Sequence, residues 1–320
     1  MTIDIAAAQA RIQAHTVRTP LLNAPLLDAE AGRRIFVKAE CLQKTGSFKY
    51  RGARSAISAL APDTRAKGVI AYSSGNHAQG VACAARELQT PATIIMPADA
   101  PQLKIANTRA YGAEVVLYDR ATEDRDAIGT RLAQSRDLTL IKPFDNTAVI
   151  SGQGTCGVEI AEQATALGIT RAPVLIPCGG GGLTAGVALA LAEHAPGLTP
   201  HPVEPVGFDD VARSLASGAI QTNPTQTGSI ADAILTPSPG QITFPVLKAQ
   251  CGPGYAVSDD EALRAVALAF KRLKIVVEPG AAVALAAALW HLEGDGDVIV
   301  ICSGGNVDAE VFREALGRWG

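Results

Sequence analysis

The chain has 320 residues, enough for two lobes with separate cores, and 48% of them are apolar. Its formal net charge is −3 with Lys and Arg scattered along the sequence, so neither nucleic acid nor an anionic membrane surface is indicated as a partner. The N-terminal segment carries Asp4 and no continuous apolar core, unlike a secretion signal. Apolar stretches stop short of the ~18 residues that would span a bilayer. The six cysteines are widely spaced, with no C-x-x-C pair, and read as reduced and mostly buried. A soluble cytoplasmic protein is expected.

In chain order, apolar strands alternate with helices. The pattern predicts a strand over 69–72 with a helix over 76–87, then 92–96 with 101–111, and 115–118 with 122–135. Further on it predicts 174–177 with 183–194, and 298–302 with 309–316. Such alternation implies parallel sheets covered by helices, an α/β fold. The tight spacing within 68–145 predicts a small lobe of its own. Residues 1–67 and 146–320 then form a larger, discontinuous lobe, with ligand in the crevice between them.

Four short stretches carry chemistry. Gly179-Gly180-Gly181-Gly182 follows a strand and opens a helix. Glycines let the backbone wrap a ligand, and the helix N-terminus adds positive potential, so a phosphate site is expected. On this motif alone a dinucleotide is a rival, because Gly180-x-Gly182-x-x-Ala185 and Glu204 fit that fingerprint. Lys49 lies in Gly46-Ser47-Phe48-Lys49-Tyr50-Arg51-Gly52-Ala53, where a helix start and desolvation could free its amine for a carbonyl. Ser73-Ser74-Gly75-Asn76-His77-Ala78-Gln79-Gly80 follows a strand directly and suits a carboxylate better than a simple helix cap would explain. Ser303-Gly304-Gly305-Asn306 sits at another strand's C-terminal end, where open α/β sheets bind ligands.

Together these stretches resemble the serine/threonine dehydratase and serine racemase family of fold type II pyridoxal-phosphate enzymes. The resemblance runs from Thr19-Pro20-Leu21-Leu22 to Ser303-Gly304-Gly305-Asn306-Val307-Asp308. It includes Pro143-Phe144-Asp145, Gly152-Gln153-Gly154-Thr155, Ile242-Thr243-Phe244-Pro245 and Val277-Glu278-Pro279-Gly280-Ala281. It displaces the dinucleotide reading. The family implies two open, twisted parallel-sheet lobes with helices on both faces and pyridoxal 5'-phosphate in the crevice. By the same resemblance, Lys49 is the Schiff-base lysine and the base for the α-proton, and Phe48 packs on the pyridine ring. Asn76 meets the phenolic oxygen, residues 179–182 hold the phosphate, and Ser303 faces the pyridine nitrogen. A hydroxyl there leaves that nitrogen largely unprotonated, which suits prompt loss of a β-substituent.

The substrate carboxylate is expected on Ser73, Ser74, Asn76 and His77. Ser74 also matches the position that works on the face opposite the lysine in racemases. Arg125 and Ser238 align with positions that reach beyond the β-carbon, so a second carboxylate, as in 3-hydroxyaspartate, is favoured over serine or threonine. Thr236-Pro237-Ser238-Pro239-Gly240 departs from the commoner threonine dehydratase loop. Glu204, the Phe208 carbonyl and Asp210 resemble the family's structural divalent-cation loop, filled by magnesium, manganese or calcium. The preceding His201-Pro202 and the bulky Phe208 are departures from it. The chain stops soon after Ser303, so a C-terminal amino-acid-sensing domain is not expected and a catabolic role is. The family further implies a homodimer. The expected reaction is dehydration and deamination of a β-hydroxy amino acid. Its rivals are an amino-acid racemase with side elimination and a non-catalytic relative.

Overall fold

The computed structural model describes residues 2–73, 75–100, 102–119, 121–225 and 227–320, with the side chains of Leu103 and Asp126 also left aside. The predicted site residue Ser74 therefore lies outside the described residues.

Ten described strands form two sheets. They are β1 (Leu21–Leu22), β2 (Ile35–Lys38), β3 (Val69–Tyr72), β4 (Ala92–Pro97), β5 (Glu114–Tyr118), β6 (Thr139–Leu140), β7 (Ala172–Pro177), β8 (Leu198–Pro205), β9 (Tyr255–Val257) and β10 (Val298–Ile301). The larger sheet runs β1-β2-β10-β7-β8-β9 and the smaller β5-β4-β3-β6. All described pairings are parallel except β1 with β2, so the large sheet has one antiparallel edge. β10 is paired on both sides and all four of its residues are buried. That follows from its unbroken Val-Ile-Val-Ile run, which suits a strand covered on both faces.

The small sheet falls wholly within residues 69–140. The helix Lys49–Ser58 joins its core through Tyr50, Ala53 and Ile57, which cluster with Val81, Ile94 and Met96. This packing sets the first turn of that helix at the mouth between the sheets. One predicted helix starts late, at Arg125 rather than 122. Asp119 accepts from Ala121 N–H and Asp124 from Ala127 N–H, so local side chains claim those amides and cap the helix there. No described helix is long and apolar enough to cross a membrane.

Candidate functional site

Lys49 is held by its neighbours on both sides. Ser47 bridges Gly304, Phe48 N–H donates to the Ser303 carbonyl at 3.0 Å, and Gly305 N–H donates to the Gly46 carbonyl at 2.9 Å. The lysine run is thus stitched to the loop after β10. Lys49 opens its helix, and its Nζ donates to the Pro143 carbonyl at 3.0 Å, 5.1 Å from the Phe48 ring centre. Loss of water around the amine lowers its pKa to about 8, against the opposing charge of Glu278. An amine poised this way is a usable nucleophile and base near neutral pH.

Two residues along the helix, Arg51 is fully buried. Its guanidinium meets Glu40 through two bonds of 2.8 Å and Glu159 through bonds of 2.8 and 2.9 Å. Lys38 also reaches Glu159, at 2.6 Å. Coulombic and hydrogen-bonding contact with Arg51 holds the Glu40 carboxyl below its ordinary range despite burial. This buried network fixes the rotation of the helix that presents Lys49.

The glycine run sits between β7 and the helix Gly182–His194. Gly181 has φ +86°, a left-handed conformation that favours glycine. The Gly180 carbonyl accepts from Gly240 N–H at 3.2 Å and the Thr243 hydroxyl at 2.7 Å, which fixes the peptide planes. A Cβ on Gly180 would lie 2.3 Å from the Phe144 ring, so the turn needs glycine for packing as well as for a ligand. The first-turn amides of the helix face outward from its start. Gln153 lies beside them, fully buried, and its amide has no partner among the described residues. Its oxygen would be 2.8 Å from a Cβ on Gly182. A helix-start cradle for phosphate, a partly deprotonated lysine for an aldehyde and a seryl loop for a pyridine nitrogen are the donor set that pyridoxal phosphate requires.

After β3, Ser73 N–H donates to the Ile95 carbonyl and the Ser73 hydroxyl accepts from Gly75 N–H. Asn76 begins the next helix, Asn76–Glu87. Its Nδ2 donates to Glu278 Oε1 at 2.5 Å, and its Oδ1 accepts from Asn306 Nδ2 at 2.7 Å. His77 is the next residue of that helix. Its ring is buried and Nε2 donates to the Ile141 carbonyl at 2.8 Å. Burial, aided by the Lys49 charge, lowers its pKa to about 3, so the ring is neutral. The His77 amide lies in the first turn of the helix, where backbone N–H groups have no intrahelical acceptor.

Arg125 is exposed, with its guanidinium 5.5 Å from the centre of the Tyr72 ring. Tyr72 immediately precedes Ser73 in sequence, and its ring packs with Ile70, Ile95, Ile128 and Leu132. Ser238 is half-buried in a loop pinned by Asn223, which bonds the Pro237 and Thr236 carbonyls, and by Gly240 to the glycine cradle.

Glu204 ends fully buried beside the helix Asp210–Ser217, accepting from Val211 and Ala212 N–H at 3.0 and 2.8 Å. Asp210 Oδ1 accepts from Asn223 Nδ2 at 2.5 Å. Desolvation pushes Asp210 up to about 6, and desolvation plus Asp210 raises Glu204. Among the described residues no three His, Cys, Asp or Glu side chains cluster as a metal site. The donors on hand are two carboxylates and the Phe208 carbonyl.

Glu278, Asn306 and Arg51 were visible only as parts of longer motifs. The signal for Glu278 is a single carboxylate inside Ile275-Val276-Val277-Glu278-Pro279-Gly280-Ala281. An acid is rarely buried in such a run without a partner. Cys178 and Cys302, one residue ahead of the cradle and of Ser303, are fully buried thiols whose pKa desolvation raises well above the usual value.

The chain is similar to known proteins along nearly its whole length. The chain is 43% identical to an L-threo-3-hydroxyaspartate ammonia-lyase of Pseudomonas sp, over 98% of this chain and 97% of that protein. It is 39% identical to a serine racemase of Oryza sativa subsp. indica, over 98% and 93%. Among solved structures it superposes on a threonine deaminase from T.th. with TM-score 0.89 and 45% identity, covering 95% of this chain and 97% of that one. Residues 12–304 match the pyridoxal-phosphate dependent enzyme family, and the chain belongs to that family.

Proposed function

We propose that this protein is a pyridoxal-phosphate ammonia-lyase that eliminates water from a β-hydroxy-α-amino acid, with 3-hydroxyaspartate as the preferred substrate. The observation that carries the reaction is the desolvated Lys49 amine between Phe48 and the Pro143 carbonyl. The cofactor, when bound, supplies the electron sink that makes the α-carbon acidic. Residues 179–182 would hold its phosphate, Phe48 would cover its ring, and Asn76 and Ser303 would meet its ring oxygen and nitrogen. Lys49 would anchor it, and its Nζ is the group that would hold the α-proton. The Cα–H and Cβ–O bonds break, and the β-hydroxyl leaves as water by taking up the proton that Lys49 Nζ would hold. The product enamine tautomerises and is hydrolysed to a keto acid and ammonia. Ser73, Ser74, Asn76 and the His77 amide receive the α-carboxylate.

Arg125 supports the substrate reading. Stacking on Tyr72 holds its guanidinium beside the residue that leads into the 73–77 loop, where it can pair with a second carboxylate. Keto-acid and ammonia release should be measured on serine, threonine and the 3-hydroxyaspartate stereoisomers. Arg125→Ala is expected to lower kcat/KM for the dicarboxylic substrate by about 10- to 100-fold and leave serine nearly unaffected. Equal losses on both substrates would remove Arg125 from the specificity pocket. Similarity to serine racemases favours one second reading, racemisation alongside elimination. It predicts the inverted enantiomer in the same assay.

The segment 68–145 is taken as the small lobe, supported by a sheet contained within 69–140. A divalent cation is proposed at Glu204, Phe208 and Asp210. Two buried carboxylates, both raised by desolvation and Glu204 further by Asp210, suit a hard cation. Asn223, which touches both Asp210 and the 236–238 loop, would pass its effect to Ser238. Adding magnesium, manganese or calcium to chelator-treated protein should raise the melting temperature. At a hundredfold excess over Kd the gain is about 2.7 kcal/mol, and Asp210→Asn should abolish it. A wild-type melt indifferent to all three ions would sink the cation site.

A further inference from the structure

The Asn76 side chain cannot turn freely. Asn306 Nδ2 donates to the Thr45 carbonyl at 2.8 Å, so Asn306 must present its NH2 group on that side. The same group donates to Asn76 Oδ1, which therefore faces Asn306 and turns the Asn76 NH2 toward Glu278. Glu278 comes from the residue preceding the helix Pro279–Trp290, and its own N–H is bonded to the Gly304 carbonyl at 3.1 Å. A Cβ on Gly304 would lie 2.1 Å from Glu278 Oε1 and 3.2 Å from Asn76 Nδ2. Only glycine lets the loop after β10 close over this pair.

We propose that Glu278 is a positioning residue for the elimination: reaching Asn76 from the far side of the crevice, it sets the direction and polarity of the amide that meets the cofactor's ring oxygen. This rests on the reading of Asn76 as the residue facing that oxygen. An amide NH2 has two N–H bonds. Glu278 takes one, and an ionised carboxylate there makes the amide a fixed rather than a rotating donor. Charge-assisted bonds of this kind are about twice as strong as neutral ones.

The titratable and charged groups around Glu278 are Lys49, Lys104 on the helix Gln102–Ala110, Asp232 in the turn Asp232–Ile234, and the Cys41 thiol. Lys104 also pairs with Asp232 at 3.5 Å. Desolvation outweighs the Asn76 bond and the two lysines, and Glu278 is pushed up to about 7. The carboxyl is therefore protonated below that pH and ionised above it. The grip on Asn76 strengthens as pH rises.

The test is an absorbance titration of the lysine-bound cofactor in wild-type, Glu278→Gln and Asn76→Ala holoenzymes, with kcat and KM measured alongside. The wild-type band is expected to shift with a midpoint near 7. Glu278→Gln should keep the cofactor, lose that inflection and lower kcat by roughly tenfold with little change in KM. An unchanged inflection in Glu278→Gln, with a displaced band in Asn76→Ala, overturns the proposal alone. A band unmoved by Asn76→Ala overturns the reading of Asn76 and the proposal with it.

Melts of the cofactor-stripped chain give a readout independent of activity. The folded pKa of Glu278 is raised above its ordinary 4.5. The stability of wild type relative to Glu278→Gln should then fall as pH climbs from 4.5 and level off above 7. A difference independent of pH overturns the proposal. Should Glu278→Gln fail to fold, Asn306→Ala releases the other end of Asn76. A displaced midpoint in that variant supports the network, and an unchanged titration overturns it.

Discussion

Lys49→Ala should lose elimination activity by at least about 10^3-fold, the combined effect of losing the cofactor's covalent anchor and the base for the α-proton. Reduction with borohydride followed by peptide mass analysis should add one cofactor to the Lys49 peptide of the wild type and none to the variant. The fold should survive, because the amine makes one described hydrogen bond, to the Pro143 carbonyl, and its removal relieves a desolvated charge. Cofactor capture by the stripped wild type should accelerate as pH rises through about 8, where half of the amine is neutral, and level off above it. A variant that keeps activity within tenfold, or carries the label on another lysine, would end the assignment.

Arg51→Met is expected to cost stability rather than chemistry, by about 3–5 kcal/mol. Taking the guanidinium away leaves Glu40 and Glu159 facing one another in the interior, with Lys38 and Thr19 as the remaining partners. Arg51→Lys should recover only part of the loss, since one ammonium cannot make paired bonds to two carboxylates. Arg51 depresses the Glu40 pKa in the folded state. Its contribution is therefore present above the ordinary carboxylate range and fades as pH falls through the folded value. Urea denaturation at neutral and acid pH measures both effects. A loss below about 1 kcal/mol would place this network with ordinary surface pairs.

Local signals made most of the fold legible. Apolar runs flanked by glycine marked β3, β7 and β10 to within two residues, and helix starts followed from what precedes them. The late start at Arg125 escaped because the claims of Asp119 and Asp124 on nearby amides compete with an otherwise helical pattern. The antiparallel edge β1 is too short to carry a period. Within the site, the glycine run and the lysine run are legible because each is carried by residues adjacent in sequence. Partnerships are not. Asn76 and Glu278 lie 202 residues apart and Arg51 and Glu159 108, and nothing in either run names the other. The partner of the His77 ring, a backbone carbonyl at Ile141, likewise lies far along the chain.

The two buried cysteines beside the ligand loops bear on chemical selectivity. An aldehyde can be captured by sulfur as readily as by nitrogen, and in water a thiol ionises before an ammonium does. Here the order is reversed. Cys178 and Cys302 are held as neutral thiols while Lys49 gives up its proton near 8. Burial, the largest influence on each group and opposite in sense for an acid and a base, leaves nitrogen as the competent nucleophile although thiols precede the cradle and Ser303.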